Sequence, residues 1–157
     1  MPAAEVLRAD TPETLAAVEL LFRDYLAFVE DFLGESLAFQ DTAREFAEFP
    51  ATYDAVFLAR LDGADVGAIG LKRFDETRAE LKRLYVREAG RGHGFGQLLV
   101  SASLAEARAR GYRTALLDTD PGLVHANRIY ERLGFADVPR YYSNPREDRS
   151  RYMALAL

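Results

Sequence analysis

Apolar residues recur at helical spacing through one long segment near the start of the chain. The segment begins after Asp10-Thr11-Pro12-Glu13, which is typical of a helix start with Asp10 or Thr11 as the cap. Gly34 is the residue at which the pattern stops. The periodic positions are Leu15, Val18, Leu21 or Phe22, Tyr25, Phe28 or Val29, and Phe32. The pattern predicts one long amphipathic helix.

The rest of the chain alternates between strand and helix patterns. Strand patterns cover 4–8, 56–60, 66–74, 78 or 79–86, 114–118, 135–142 and 152–157. Helix patterns cover 41–49, 94–110 and 122–133. The resulting order, β-α-α-β-β-β-α-β-α-β-β, predicts a mixed α/β sheet. At 157 residues, we expect residues 1–157 to form a single domain.

Composition narrows the class of protein. An apolar content of 49% with 29% charged residues is ordinary for a soluble domain, and we expect a cytoplasmic protein with no membrane partner. No segment approaches the about 18 uninterrupted apolar residues of a membrane helix, and the first residues lack the features of a signal peptide. The absence of cysteine excludes disulfides and a thiol nucleophile. With only His93 and His125, we expect no metal site.

The net charge of −5 argues against a nucleic-acid partner, because such proteins neutralise phosphates over a broad basic face. Basic residues are nevertheless concentrated just before a cluster of glycines, and such a local basic patch suits a small polyanion. Any single one of these residues could instead belong to a solvated strand face. These residues are Lys72, Arg73, Arg78, Lys82, Arg83, Arg87 and Arg91.

The glycine cluster joins the strand pattern at 80–86 to the helix pattern that follows it. A helix that begins there has unpaired N–H groups and the positive end of its dipole at the loop, so we expect a phosphate ligand. Neither Lys nor Ser/Thr follows Gly96, which excludes a Walker loop. The glycines Gly92, Gly94 and Gly96 are spaced i, i+2, i+4, whereas a dinucleotide fingerprint needs i, i+2, i+5.

Two motifs together resemble those of a known family. Arg91-x-x-Gly94-x-Gly96, between a strand and a helix, resembles the pyrophosphate-binding motif of the GNAT superfamily of N-acetyltransferases, which bind acetyl-CoA. Residues 126–135, ANRIYERLGF, are similar to the family's A-x-x-L-Y-x-x-x-G-F segment, with Ile129 in place of Leu. Lys82 to Val86 (KRLYV) and 141–145 (YYSNP) resemble a bacterial subgroup with a Y-Y-x-N-P segment, a likeness that implies no particular substrate.

The resemblance implies acetyl-CoA as cosubstrate and no metal. It also implies that the parallel strands at 79–86 and 114–118 splay apart, so that the pantetheine arm enters between them. A backbone N–H near Val86 would polarise the thioester carbonyl. The residues expected to bind the cofactor are Leu84, Tyr85, Val86, Arg91, Gly92, His93, Gly94, Phe95, Gly96, Gln97, Asn127 and Tyr130.

Two residues are candidates for proton transfer. Tyr130 is the expected general acid; the alternative is that it is a half-buried tyrosine of the core. A phenol has a pKa of about 10 and the conjugate acid of the thiolate a pKa of about 8.5, so the phenol must be well positioned to protonate the sulfur. Glu80 is the expected base. Alternatively, Glu80 faces solvent and forms an ion pair with Arg78 or Lys82.

Other polar residues near these candidates have lesser expected roles. Asn127, one turn before Tyr130, is expected to bond the pantetheine arm through its amide. Weaker candidates for the base are Glu45, Glu48 and Asp118. The paired tyrosines 141 and 142 are expected either to line the acceptor pocket or to be ordinary sheet residues. We expect His93 to act through its backbone and His125 to have no chemical role.

The expected function is acetyl-CoA-dependent N-acetylation of a primary amine, on a small molecule or a protein, by direct attack in a ternary complex. One alternative is a non-catalytic acyl-CoA-binding or regulatory module, and another is a different nucleotide as ligand. The sequence does not identify the acceptor or the acyl-chain preference, and it leaves a homodimer open.

Overall fold

The computed structural model describes residues 3–34, 36, 41–143 and 149–157. Its elements are β1 (Ala4–Arg8), α1 (Pro12–Leu33), α2 (Thr42–Glu48), β2 (Ala55–Leu61), β3 (Ala64–Arg73), β4 (Arg78–Val86), a single 3-10 turn (Glu88–Gly90), α3 (Phe95–Ala109), β5 (Thr114–Thr119), α4 (Val124–Arg132), β6 (Ala136–Asp137) and β7 (Arg151–Ala156). The order of helices and strands confirms the mixed α/β prediction.

The strands form one seven-stranded sheet in the order β1-β2-β3-β4-β5-β7-β6. Every neighbouring pair is antiparallel except β4 and β5, which run parallel. On one face, α1 buries Val18, Leu21 and Phe22 against β2 and β3. On the other face, α3 buries Phe95 and Leu99 in a second apolar cluster. The sheet therefore separates two hydrophobic cores.

The parallel strands β4 and β5 diverge after a short paired stretch. Their pairing covers only Arg78 with Thr114, Ala79 with Ala115 and Glu80 with Leu116. Beyond Glu80, β4 continues to pair with β3, and β5 pairs with β7 as far as Thr119. The edge of β4 that faces β5 is thus unpaired over its second half, and a gap opens between the two strands.

A β-bulge interrupts β4 where the gap opens. Gly70 pairs with Lys82 and Ala68 pairs with Tyr85, so that Arg83 and Leu84 together lie opposite Ile69. Arg83 has a φ of 64°, which is in the left-handed region that side chains other than glycine rarely adopt. Bulges bend a strand and change the direction of its side chains, and this one lies beside the gap.

Local signals explain the ends of α1. The Thr11 side chain accepts a hydrogen bond from the Thr14 amide at 3.2 Å, and the Thr14 hydroxyl accepts one from the Thr11 amide at 3.1 Å. Gly34, with a φ of 67°, ends the helix and donates its N–H to the Glu30 carbonyl. The predicted helix start and stop are confirmed.

The predicted strand at 135–142 is wrong over most of its length. Strand β6 covers only Ala136–Asp137, and one further backbone bond joins the Val138 amide to the Tyr152 carbonyl. Pro139 has no N–H to donate, so the ladder stops there. Residues 139–142 are thereby released from the sheet and the two tyrosines can turn toward the neighbouring strands.

Candidate active site

A cavity of about 640 Å³ lies at the gap between β4 and β5. It is lined by the second half of β4, the glycine loop, the start of α3, parts of α4 and the second half of α1. The predicted cofactor-binding residues that line it are Leu84, Tyr85, Val86, Arg91, Gly92, Gly94, Phe95, Gly96, Gln97 and Tyr130. We refer to this cavity as the cofactor cavity.

The glycine loop presents a run of free amides to the cofactor cavity. The Arg91 amide donates to the Glu88 carbonyl, and the first bond of α3 runs from the Leu98 amide to the Gly94 carbonyl at 3.1 Å. Between these two bonds, the described backbone offers no acceptor to residues 92–97. Gly92 and Gly94 have φ values of 84° and 76°. Such a loop at a helix N-terminus binds anions.

Gly96 permits close contact between α3 and α4. A Cβ at this position would lie 2.6 Å from the Cδ1 atom of Ile129. A larger residue at this position would require the Ile129 side chain to move, so Gly96 acts through packing rather than through a positive φ.

Three of the predicted cofactor-binding residues do not present a side chain to the cofactor cavity. The side chain of Phe95 is only 1% exposed and belongs to the core, so only its backbone is available to a ligand. His93 is exposed and does not line the cofactor cavity. Asn127 is buried outside the cavity lining; its amide donates to the Asp120 carbonyl at 3.0 Å and accepts from the Thr119 hydroxyl at 2.9 Å. Asn127 therefore holds the loop between β5 and α4.

Tyr130 lies in the wall of the cofactor cavity. Its ring packs edge-on against Phe135 at 5.8 Å, and in the described part of the chain its hydroxyl has no hydrogen-bond partner. Burial, followed by the charges of Tyr25 and Asp118, raises the pKa of Tyr130 well above its ordinary value. The phenol is therefore protonated at physiological pH and available as a donor.

Tyr25, which the sequence placed only on the buried face of α1, also lines the cofactor cavity. Burial raises the pKa of Tyr25 to about 12, opposed by the positive charge of Arg83. Its helical spacing identified it as a core residue, and no signal in the sequence distinguished it from its apolar neighbours. Tyr25 on α1 and Tyr130 on α4 thus both present a protonated phenol to the cavity.

A second cavity of about 560 Å³ lies on the sheet face that carries α1 and α2. Lys82 and Arg83, at the bulge, line both this cavity and the cofactor cavity, so the two cavities share a wall there. We refer to the second cavity as the acceptor cavity. Its described lining is Asp41, Arg44, Glu45, Glu48, Thr52, Tyr53, Lys72, Arg73, Phe74, Glu80, Lys82, Arg83, Tyr142 and Ser143.

Glu80 is buried in the wall of the acceptor cavity. It accepts a hydrogen bond from the Tyr141 hydroxyl at 2.5 Å and lies 3.8 Å from the Nζ atom of Lys82. The alternative of a solvent-facing partner for Arg78 is wrong, because Glu80 is buried and Arg78 pairs with Asp75 at 2.6 Å. The pairing with Lys82 is present.

Asp118 repeats this arrangement on the neighbouring strand. It accepts a hydrogen bond from the Tyr142 hydroxyl at 2.6 Å, and its Oδ1 atom lies 3.8 Å from Lys82 Nζ. The ammonium of Lys82 therefore lies between two carboxylates, each bonded by one of two adjacent tyrosines. Because Glu80 is paired with Leu116, register places Asp118 on the same face as Glu80.

Arg83, Glu45 and Tyr53 form a buried network beneath the bulge. Arg83 donates to Glu45 at 2.7 Å, and the Tyr53 hydroxyl donates to the same carboxylate. Burial acts to raise the pKa of Glu45, but the hydrogen bonds and charge of Arg83 outweigh it and the pKa is lowered. Glu45 is thus committed to Arg83 as an ion-pair partner, and Glu48 pairs with Arg44 at 3.1 Å on the surface of α2.

The predicted basic patch does not form one surface. Arg78 pairs with Asp75, Arg83 with Glu45 and Arg87 with Asp24. Arg91 is exposed in the wall of the cofactor cavity, where it remains suited to a polyanion. Ion pairs within the protein therefore account for much of the charge that clusters in the sequence.

Neither a metal site nor a membrane-spanning helix is present in the described residues. No group of three or more histidine, cysteine or acidic side chains is placed to hold a metal ion. Within the same residues, no helix has both the length and the apolar character required to cross a membrane.

Known proteins resemble this chain in sequence. The sequence model of the acetyltransferase (GNAT) family matches residues 16–135. An uncharacterised N-acetyltransferase of Schizosaccharomyces pombe is 32% identical over 140 residues, which is 85% of this chain and 83% of that protein.

Solved structures share the fold over nearly the whole chain. An acetyltransferase from Streptococcus agalactiae superposes with a TM-score of 0.77 at 21% identity, covering 98% of each chain. YncA of Salmonella typhimurium, solved with its cofactor acetyl-CoA, superposes with a TM-score of 0.68 at 21% identity, covering 98% of this chain and 94% of that one. By its family match and its relative in S. pombe, the chain belongs to the GNAT family of acetyltransferases.

Proposed function

We propose that this enzyme transfers the acetyl group of acetyl-CoA to a primary amine by direct attack in a ternary complex. The observation that supports this most strongly is the shared wall between the cofactor cavity and the acceptor cavity at Lys82 and Arg83. A ligand in the gap between β4 and β5 and a second ligand on the α1 face of the sheet would meet at this wall.

The residues of the cofactor cavity fit acetyl-CoA. The free amides of residues 92–97 suit a diphosphate, and Arg91 adds a positive charge beside them. The unpaired edge of β4 offers backbone groups to the amides of the pantetheine arm at Leu84, Tyr85 and Val86. A volume of about 640 Å³ is within the range of pockets that bury a ligand of this kind. When bound, acetyl-CoA supplies the acetyl group as an activated thioester.

The proposed proton transfers use residues on both sides of the shared wall. The amine nitrogen forms a bond to the carbonyl carbon as the carbon–sulfur bond breaks. Glu80 takes the proton that the amine loses, directly or through water, and a backbone N–H near Val86 stabilises the carbonyl oxygen. Tyr130 donates to the departing sulfur.

The environment of Tyr130 indicates that its position beside the sulfur matters more for catalysis than the acidity of its hydroxyl. Because burial raises the pKa of Tyr130, complete transfer of its proton to a thiolate is unfavourable, whereas a hydrogen bond to the sulfur is not. We therefore propose that Tyr130 stabilises the departing sulfur mainly as a hydrogen-bond donor.

The first experiment is a thermal-shift comparison of CoA, acetyl-CoA and ATP. A ligand at 100 times its dissociation constant stabilises the folded state by about 2.7 kcal/mol. For a domain of this size, that corresponds to a rise in Tm of roughly 5 to 11 °C. We expect CoA and acetyl-CoA to give this rise; stabilisation by ATP alone would contradict the proposal.

The second experiment distinguishes a catalyst from a non-catalytic acyl-CoA-binding module. Initial rates of thiol release are measured across amino acids, polyamines, aminoglycosides and peptide N-termini. Because the chain has no cysteine to carry the acetyl group, we expect the intersecting double-reciprocal plots of a ternary complex. Parallel plots would refute direct attack, and binding of acetyl-CoA without thiol release from any acceptor would support the module.

A further inference from the structure

Three of the four carboxylates that line the acceptor cavity have partners within the protein. Glu45 is bonded by Arg83 and Tyr53, and Glu80 is bonded by Tyr141 and lies near Lys82. The remaining two acidic side chains of the lining, Asp41 and Glu48, are exposed at the rim, where Glu48 pairs with Arg44. A ligand with several cationic groups would find few free carboxylates in this cavity.

Lys72, by contrast, is an unpaired cation of the acceptor cavity. In the part of the chain that the structure describes, no carboxylate lies within ion-pair distance of it. Lys72 is directly opposite Glu80 in the β3–β4 ladder, so it shares the face of the sheet on which Glu80 and Lys82 lie. It is exposed, whereas Glu80 is buried. Lys72 therefore lies on the solvent side of the buried charges.

Arg73, the next residue, also lines the cavity but is oriented differently. It is paired with Ala79, which belongs to the core on the α3 face, and its charge acts on Tyr112. Successive side chains of β3 point to opposite faces of the sheet, so Lys72, and not Arg73, is the cation that would face a bound acceptor.

The charges beneath Lys72 have the opposite balance. Glu80 and Asp118 lie on either side of the single ammonium of Lys82, each at 3.8 Å. With both tyrosines protonated, this group carries one more negative than positive charge. The amino group of an acceptor is attracted toward the negative charge of Glu80 and Asp118. The other end of the acceptor then lies near Lys72.

From this polarity we infer that the acceptor is an amine that also carries an anionic oxygen group, such as a carboxylate. The inference depends on the proposed function and adds the class of acceptor to it. Lys72 and Lys82 are displaced by two residues along the sheet, because Lys72 pairs with Glu80 and Lys82 pairs with Gly70. This displacement is about 7 Å along a strand. A polyamine would instead place a second cation against Lys72.

The test compares amino acids with the amines that lack only the carboxylate. Glycine, β-alanine and γ-aminobutyrate are paired with methylamine, ethylamine and propylamine, and O-phosphoethanolamine is paired with ethanolamine. Putrescine and spermidine serve as polycations. We expect kcat/KM to be about fivefold higher for the anionic member, a modest factor because Lys72 is exposed to solvent. The preference should decline at about 1 M salt.

Variants at Lys72 connect this preference to the proposed contact. Lys72→Ala should bring the ratio of kcat/KM within each pair close to unity, and Lys72→Arg should keep the preference. Arg113→Ala, an exposed residue outside both cavities, should leave every ratio unchanged. The carboxylate and phosphate pairs show which anionic group the site prefers.

Binding without turnover separates this inference from the proposed function. Melting temperatures of the CoA complex are measured with each amine, so the comparison does not require catalysis. If CoA binds but neutral amines or polyamines are preferred, or if Lys72→Ala keeps the preference for anionic amines, the inference is overturned. If acetyl-CoA itself does not stabilise the protein, the proposed function fails first.

Discussion

The buried ion pair between Arg83 and Glu45 gives a direct test of the structure around the bulge. The two side chains are 4% and 10% exposed and are joined at 2.7 Å. Glu45→Gln removes the negative charge but keeps an oxygen that can accept from Tyr53. The substitution leaves the guanidinium of Arg83 buried without a counter-charge.

The expected loss of stability follows from that buried charge. Removing one partner of a buried ion pair costs about 3 to 5 kcal/mol. The lower end applies here, because the glutamine oxygen retains hydrogen bonds to its neighbours. For a domain of this size, about 3 kcal/mol lowers Tm by roughly 6 to 12 °C.

The assay is urea denaturation at neutral pH, with the free energy of unfolding obtained by linear extrapolation. Glu48→Gln is the matched control on the same helix, because Glu48 pairs with Arg44 on the surface, where the two side chains are 46% and 70% exposed. An exposed pair of this kind contributes at most about 1 kcal/mol. The double variant Glu45→Gln/Arg83→Met removes both charges and should be more stable than Glu45→Gln alone.

The pH dependence provides a second readout of the same pair. The folded-state pKa of Glu45 lies below its ordinary value of 4.5, so the carboxylate stabilises the fold above pH 4.5. This contribution is lost as the pH falls through the lowered pKa. The difference in stability between wild type and Glu45→Gln should therefore shrink below pH 4.5. A loss below about 1 kcal/mol at neutral pH, similar to that of Glu48→Gln, would refute the buried pair.

Three further predictions concern catalysis and cofactor binding. Tyr130→Phe should lower kcat by about 10- to 100-fold with little change in the Kd of acetyl-CoA, since it removes one hydrogen bond to the sulfur; an unchanged kcat would exclude the role. Glu80→Gln, which can still accept from Tyr141, should lower kcat by about 100-fold, and a wild-type pH–rate profile would contradict its role as base. Gly94→Ala, at a φ of 76°, should weaken CoA binding in a calorimetric titration, because the left-handed conformation costs about 1 to 2 kcal/mol with a Cβ present. Equal affinity for CoA would show that the loop amides do not form the site.

Features that depend on local sequence could be predicted. Helix α1 follows from its apolar spacing, its threonine cap and Gly34, all of which act within a few residues. The glycine loop follows from the change of a strand pattern into a helix pattern. In both cases, the backbone conformation is determined by neighbouring residues, so the sequence contains the whole signal.

Features that depend on register or tertiary contacts could not be predicted. The pairing of Lys82 with Glu80 is one of the alternatives that the sequence leaves open. The sequence does not predict that Asp118 also lies beside Lys82, because three pairs of residues set the register of β4 against β5. Asn127 was placed on the cofactor side by helical spacing alone. Its amide instead bonds the loop before α4, which shows that a helix face does not specify what the side chain contacts.

The bulge at Arg83 shows why local pattern fails close to the candidate active site. A left-handed arginine costs about 1 to 2 kcal/mol, so local preference argues against the observed conformation. Glu45, from a different element, compensates by pairing with the buried guanidinium. Arg83 in the bulge and Lys82 just before it line both cavities. Arg83, which lines both cavities, therefore has a conformation that depends on a distant partner, and local pattern cannot identify it.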